Sequence, residues 1–69
     1  MKANIKKAVE LMGGQTALAN AIGVNQASVW NWINRDQKIS LERAFQIEEA
    51  TQGKVLATDF YPEYRKNIA

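Results

Sequence analysis

Residues 15–32 read QTALANAIGVNQASVWNW, and a single glycine divides this segment into two short patterns of apolar residues. The first pattern holds Leu18, Ala19 and Ile22 at i, i+1 and i+4, which is the spacing of one helix face. Gly23 follows directly, and glycine reaches the left-handed conformation that ends a helix without strain. We therefore predict a helix over 15–22 that stops in a tight glycine turn.

The segment after Gly23 predicts a second short helix. Asn25 is a suitable N-cap, and the helix runs to about Asn34. Its apolar side chains recur at i, i+3 and i+4 and are Val29, Trp32 and Ile33. Ala19 is small, so this helix can cross the preceding one closely and at a steep angle, with Val24 sealing the junction.

On the N-terminal side, the sequence predicts a helix over 4–12. Asn4 is its candidate N-cap, and the pair Gly13-Gly14 ends it. The expected apolar stripe consists of Ala8, Val9, Leu11 and Met12.

On the C-terminal side, a polar loop over 35–38 leads to Ser40, which is a good N-cap for a helix over about 41–51. Gly53 ends this helix. Its buried stripe is expected to contain Leu41, Ala44, Phe45 and, partly, Ile47.

The segment 54–69 is apolar enough to belong to the fold, but its conformation stays open. Pro62 limits any helix through it, so a strand and a short helix are both compatible with the pattern. Its apolar residues are Val55, Leu56, Phe60, Tyr61 and Tyr64. We predict an all-α bundle of four to five helices that forms a single domain over 1–69.

Composition excludes several classes of function. The 69 residues contain no Cys and no His, which removes thiol nucleophiles, zinc-thiolate sites and the commonest general base. Glu42 and Glu49 lie seven apart on one predicted helix without a metal partner or a base. We therefore expect no enzyme activity, no metal, no cofactor and no small-molecule ligand. A net charge of +2 favours an anionic partner only mildly.

The sequence does not predict a membrane or secreted protein. Residues 1–4 have no apolar run behind them that is typical of a signal peptide. Residues 11–34 carry no charge, but Gln, Asn, Thr, Ser and Gly interrupt them too often for a membrane span. We expect a cytoplasmic, nucleoid-associated protein.

The predicted turn leaves the N-terminal end of the third helix protruding. Its outward side chains are polar, small or aromatic, and a helix of this width fits the major groove of B-DNA, which is about 12 Å wide. The residues expected to face outward are Asn25, Gln26, Ala27, Trp30 and Asn31.

The small Ala19, the turn glycine Gly23 and the apolar spacing after it resemble the helix-turn-helix of Cro- and CI-like phage repressors. The pattern Ser28-Val29-x-x-Trp32-Ile33, followed by Glu42-Arg43 and by 47–55, resembles the YdaS-type prophage regulators most closely. This resemblance covers roughly residues 5–64. It implies a lambda-repressor-like fold and binding to double-stranded DNA.

The resemblance also implies that these outward-facing residues, beginning with Asn25, contact bases. Gln26 is expected to bond adenine through N6 and N7, and Ala27 to touch a thymine methyl group. Asn31 lies one turn further along the same exposed face. Trp30 departs from the group, which more often has a polar residue there. Its ring packs on thymine methyls or sugars, or it packs on a neighbour or a second copy.

Contacts to phosphates are expected of residues within and around this helix. Gln15, at the start of the second helix, is one, and the others are Ser28, Arg35, Lys38 and Arg43. Because residues 11–34 carry no charge, attraction to DNA has to come from basic residues outside them. The candidates are Lys2, Lys6, Lys7, Arg35, Lys38, Arg43 and Lys54.

The resulting hypothesis is a Cro-type repressor that binds an operator as a homodimer. One helix reads too few base pairs to find a single genomic site, so two copies on a pseudo-palindrome are expected. We expect the apolar residues of 54–69 to supply the dimer contact. The alternative is a protein–protein adaptor or an antitoxin component, because YdaS-type relatives are described as antitoxin-like regulators.

Overall fold

A computed structural model describes residues 2–61, which form four α-helices and one short 3₁₀-helix. The α-helices are α1 (Lys2–Met12), α2 (Gln15–Ile22), α3 (Gln26–Asn34) and α4 (Leu41–Ala50), and the 3₁₀-helix is Ala57–Asp59. No strand occurs within residues 2–61. The prediction of an all-α helix-turn-helix bundle is therefore confirmed.

The predicted signals at the ends of α2, α3 and α4 act as expected. Gly23 ends α2 with φ 74° and ψ 31°, in the left-handed region. The Asn25 side chain accepts a hydrogen bond from the Ser28 amide, and the Ser40 side chain accepts one from the Arg43 amide. These bonds satisfy amide groups that have no partner within the first helical turn.

Helix α2 lies at the centre of the bundle and packs against α1, α3 and α4. It buries Leu18, Ala19 and Ile22, as its spacing predicts. The remaining buried apolar side chains come from α1, α3, α4, the 3₁₀-helix and the segments next to them. They are Ile5, Ala8, Val29, Trp32, Ile39, Ala44, Ile47, Val55, Ala57 and Phe60. This shared core fixes the position of α3 relative to α2.

Two expectations for α1 are wrong. The helix begins at Lys2, so Asn4 is not its N-cap, and the Asn4 Nδ2 instead donates to the Asp59 carbonyl oxygen over 3.0 Å. Leu11 is 43% exposed because it lies off the stripe that Ile5, Ala8 and Met12 define at i, i+3 and i+7. Ile5, which the predicted stripe omitted, is fully buried.

The predicted burial of Phe45 on α4 is also wrong. Ala44 and Ile47 are buried, and Phe45 points away from them, with 55% of its surface exposed. Adjacent helix positions differ by about 100° around the axis, so a residue next to a buried one need not share its face. The helix ends at Ala50, one residue earlier than predicted, and the Gly53 amide then donates to the Glu48 carbonyl oxygen.

The segment after α4 completes the core of its own chain. Val55 and Phe60 are buried, and the Glu48 carboxylate accepts a hydrogen bond from the Ala57 amide over 2.8 Å. The open alternative between strand and short helix resolves as the 3₁₀-helix. Val55 and Phe60 thus pack within one chain, and the expectation that they contact a second copy is wrong. Leu56 is exposed, and Tyr64 lies outside the described residues.

Within residues 2–61, no helix combines the length and the apolar character that crossing a bilayer requires.

Candidate nucleic-acid interface

The connection between α2 and α3 is a short turn that its own backbone holds. The Gly23 and Val24 amides both donate to the Ala19 carbonyl oxygen, the second over 3.0 Å. Asn25 then starts α3 in an extended conformation. Only three residues separate the helices, so the N-terminal end of α3 has a fixed place beside α2.

The exposed face of α3 carries most of the residues predicted to contact bases. Gln26, Ala27 and Trp30 are exposed, as is the preceding Asn25, whereas Asn31 is half-buried. Asn34 is also exposed and lies on the same face, eight residues after Gln26. The sequence analysis missed Asn34, although the helical repeat could have identified it.

One hydrogen bond joins the starts of α2 and α3 at the surface. The Gln26 Nε2 donates to the Gln15 Oε1 over 2.7 Å. The sequence suggested a separate role for each glutamine, and the structure brings the two side chains together. The bond restricts the rotamers of Gln26, so its remaining amide groups have a defined direction.

Asn25 and Ser28 are engaged with each other within α3. The Asn25 Oδ1 accepts from the Ser28 amide over 2.9 Å and from the Ser28 Oγ over 3.0 Å. The only hydroxyl donor of Ser28 is thus used inside the helix. The Asn25 amide group keeps its donors, and its predicted base contact stays a prediction.

The basic residues after α3 lie against aromatic rings. The Arg35 guanidinium lies over the Trp30 ring, 5.8 Å from its centroid, and the Lys38 ammonium lies 5.5 Å from the centroid of Tyr61. Both basic side chains are exposed. Their predicted contacts to phosphates stay a prediction.

Arg43 has a different environment. Its Nη1 donates to the Ile22 carbonyl oxygen over 2.9 Å and to the Gln46 Oε1 over 2.8 Å. It thereby neutralises part of the partial negative charge at the C-terminal end of α2 and ties α4 to the helix-turn-helix. This geometry gives Arg43 a scaffold role that the sequence analysis missed, and it lends no support to the predicted phosphate contact.

Comparisons with known proteins show which family this chain belongs to. A family model described as Bacterial toxin YdaS matches residues 5–68. A protein of Escherichia coli (strain K12) described as "Putative transcriptional regulator YdaS" is 38% identical over 60 residues. The match covers 87% of this chain and 61% of that relative, so the chain spans less than two thirds of the relative's length. No solved structure matches the chain. On the extent of the family match, the chain belongs to the YdaS family, as its sequence motifs indicate.

Proposed function

We propose that this chain is a sequence-specific transcriptional regulator that binds double-stranded DNA through the N-terminal half of α3. The relative's description as a putative transcriptional regulator supports the regulatory role. The N-terminal end of α3 is exposed beside the start of α2. This supports the mode of binding, because an α-helix fits into the major groove of B-DNA.

The Gln15–Gln26 hydrogen bond carries the proposal. It uses one of the two N–H groups of Gln26 and leaves the other N–H and the Oε1 free. Those two groups match the N7 acceptor and the N6 donor of adenine. Gln15 keeps both of its own N–H groups, which suit a phosphate oxygen. The pair can thus set the distance between a backbone contact and a base contact.

The N-terminus of α2 adds to the phosphate contact. Its cap position is Gly14, so no side chain caps this end, in contrast to α3 and α4. The first amides of α2 are therefore free to donate to an anion, which the helix dipole also favours. Arg35 and Lys38 supply positive charge beyond the far end of α3.

The finer proposal is a Cro-type repressor. Two copies would bind a pseudo-palindromic operator with half-sites about 34–36 Å apart and would exclude polymerase from an overlapping promoter. The contact between copies does not depend on Phe60, which is 3% exposed within one chain. Binding to such an operator would place the protein at the nucleoid.

The test starts with selection of bound duplexes from a random pool, which is expected to recover a two-fold symmetric sequence. Fluorescence anisotropy at two salt concentrations then measures the affinity for the selected duplex and for a scrambled one. About four neutralised phosphates per subunit would give a log–log salt slope of roughly −3 to −4. Gln26→Ala is expected to lose about 1–3 kcal/mol on the selected duplex and little on the scrambled one.

Gln37→Ala is the matched control, because Gln37 is an exposed glutamine in the loop after α3. It is expected to leave the ratio of the two affinities unchanged. Equal losses for Gln26→Ala on both duplexes would remove Gln26 from base recognition. If selection recovers no sequence, the DNA-binding proposal fails.

The second candidate is a protein–protein role as an adaptor or a toxin–antitoxin component. The family description as a bacterial toxin favours it, although it names no partner. In that case, binding to DNA would be weak and would lack a preferred sequence.

A further inference from the structure

Trp30 and Arg35 form a pair on the exposed face of α3 whose function the helix itself does not explain. Trp30 is 42% exposed, whereas Trp32, two residues later, is 7% exposed and belongs to the core. Burial of an exposed ring against a partner is favourable, so a ring on the proposed binding face is a candidate contact. Trp30 lies one turn after Gln26 and Ala27, on their side of the helix.

The Arg35 side chain lies over this ring. Its backbone is fixed because Arg35 is the C-cap of α3 and its amide donates to the Asn31 carbonyl oxygen over 2.9 Å. Its guanidinium then lies 5.8 Å from the ring centroid, within the range of a cation–π interaction.

We propose that Trp30 and Arg35 act as one DNA-reading unit, in which the indole ring contacts the C5-methyl group of a thymine and holds the guanidinium against the adjacent phosphate. This inference rests on the proposed DNA-binding function and adds the base that Trp30 recognises. The thymine methyl is the apolar group that the major groove presents. A guanidinium stacked on a ring keeps its N–H edge free, and that edge matches phosphate oxygens.

The pairing explains why a tryptophan and an arginine occur together here. Arg35 alone would sample many rotamers in solvent, and ordering them on binding costs free energy. The cation–π interaction with Trp30 orders the side chain before DNA arrives. Lysine would supply the same charge but lacks the planar group that stacks and donates in parallel.

The test replaces each thymine of the selected duplex with deoxyuridine, which lacks only the C5-methyl group. For the wild-type protein, we expect one position in each half-site to lose about fourfold in affinity, the value of one buried methyl group. Trp30→Phe should keep this loss, and Trp30→Ala should abolish it. Phe45→Ala is the matched control, since it removes an exposed ring on α4 and should leave the loss unchanged.

Arg35 is tested on the unmodified duplex. Arg35→Ala should reduce the magnitude of the log–log salt slope by about 0.9 per subunit, as expected for one lost phosphate. The double variant with Trp30→Ala should lose less affinity than the product of the two single losses, because the two side chains act together. Arg35→Lys should keep the slope but not this coupling.

Four results would overturn the inference. Trp30→Ala could keep the deoxyuridine loss, or no thymine could show a loss although the duplex binds and Gln26→Ala weakens it. In both cases, the DNA-binding function stands without this unit. A Trp30→Ala variant whose sedimentation mass drops to that of a monomer would instead assign the ring to a contact between copies. Failure of the wild-type protein to select any duplex would remove both proposals.

Discussion

Gly23 shows how one residue fixes the angle between α2 and α3. Its backbone has φ 74° and ψ 31°, a conformation that L-residues with a Cβ adopt at a cost. A Cβ placed there would meet no atom within 4 Å, so the requirement for glycine comes from the backbone alone. Glycine is therefore favoured at position 23 by the backbone conformation of the turn and not by the atoms packed around it.

Replacement of Gly23 tests this reason. Gly23→Ala is expected to lower the free energy of unfolding by about 1 kcal/mol, because the left-handed penalty exceeds the gain from a stiffer unfolded chain. Gly23→Asn should cost less, since asparagine tolerates this region. Urea denaturation measures both. An alanine variant as stable as the wild type, or less costly than asparagine, would contradict the account.

Helix α4 packs against α2 and is tied to its C-terminal end by a side-chain hydrogen bond. Arg43 donates to the Ile22 carbonyl oxygen at the end of α2, and the two residues are 21 positions apart in the chain. Arg35 is an arginine of the same charge, but it lies exposed beside α3. The two arginines therefore allow scaffold and DNA-contact roles to be separated.

Replacement of each arginine by methionine keeps the apolar stem and removes the charge. Arg43→Met is expected to lower the free energy of unfolding by about 1–3 kcal/mol, because it leaves the Ile22 carbonyl oxygen without its partner. Arg35→Met should change stability by less than about 0.5 kcal/mol, as is usual for surface substitutions. It should, however, weaken binding to any duplex. Thermal or urea unfolding measures the stability of both variants, and anisotropy measures their binding to DNA. A larger loss of stability for Arg35→Met than for Arg43→Met would contradict these roles.

At the scale of the whole molecule, the sequence predicts the centre of the bundle better than its ends. Leu18, Ala19 and Ile22 were predicted correctly because glycines bound their helix and the apolar spacing is regular. Asn4 was misassigned because its partner, Asp59, is 55 positions away. The burial of the C-terminal segment was likewise not predictable locally, since Phe60 and Val55 belong to a core to which all four α-helices contribute.

The candidate site shows the same division. The N-cap at Asn25 and the exposure of Gln26, Ala27 and Trp30 follow from local signals and the helical repeat. The Gln15–Gln26 bond depends on how α2 and α3 pack. The position of Arg35 over the Trp30 ring depends on the rotamer of the arginine side chain. Sequence spacing contains neither kind of information.

The surface that we propose to meet DNA is the N-terminal half of α3 together with the start of α2. Titration of the ¹⁵N-labelled protein with the selected duplex, followed by amide chemical shifts, tests it most directly. We expect the largest shifts at residues 15–17 and 25–31, with small shifts on the exposed face of α4 at Glu42, Phe45 and Glu49. Large shifts on α4 with residues 25–31 unchanged would contradict the account.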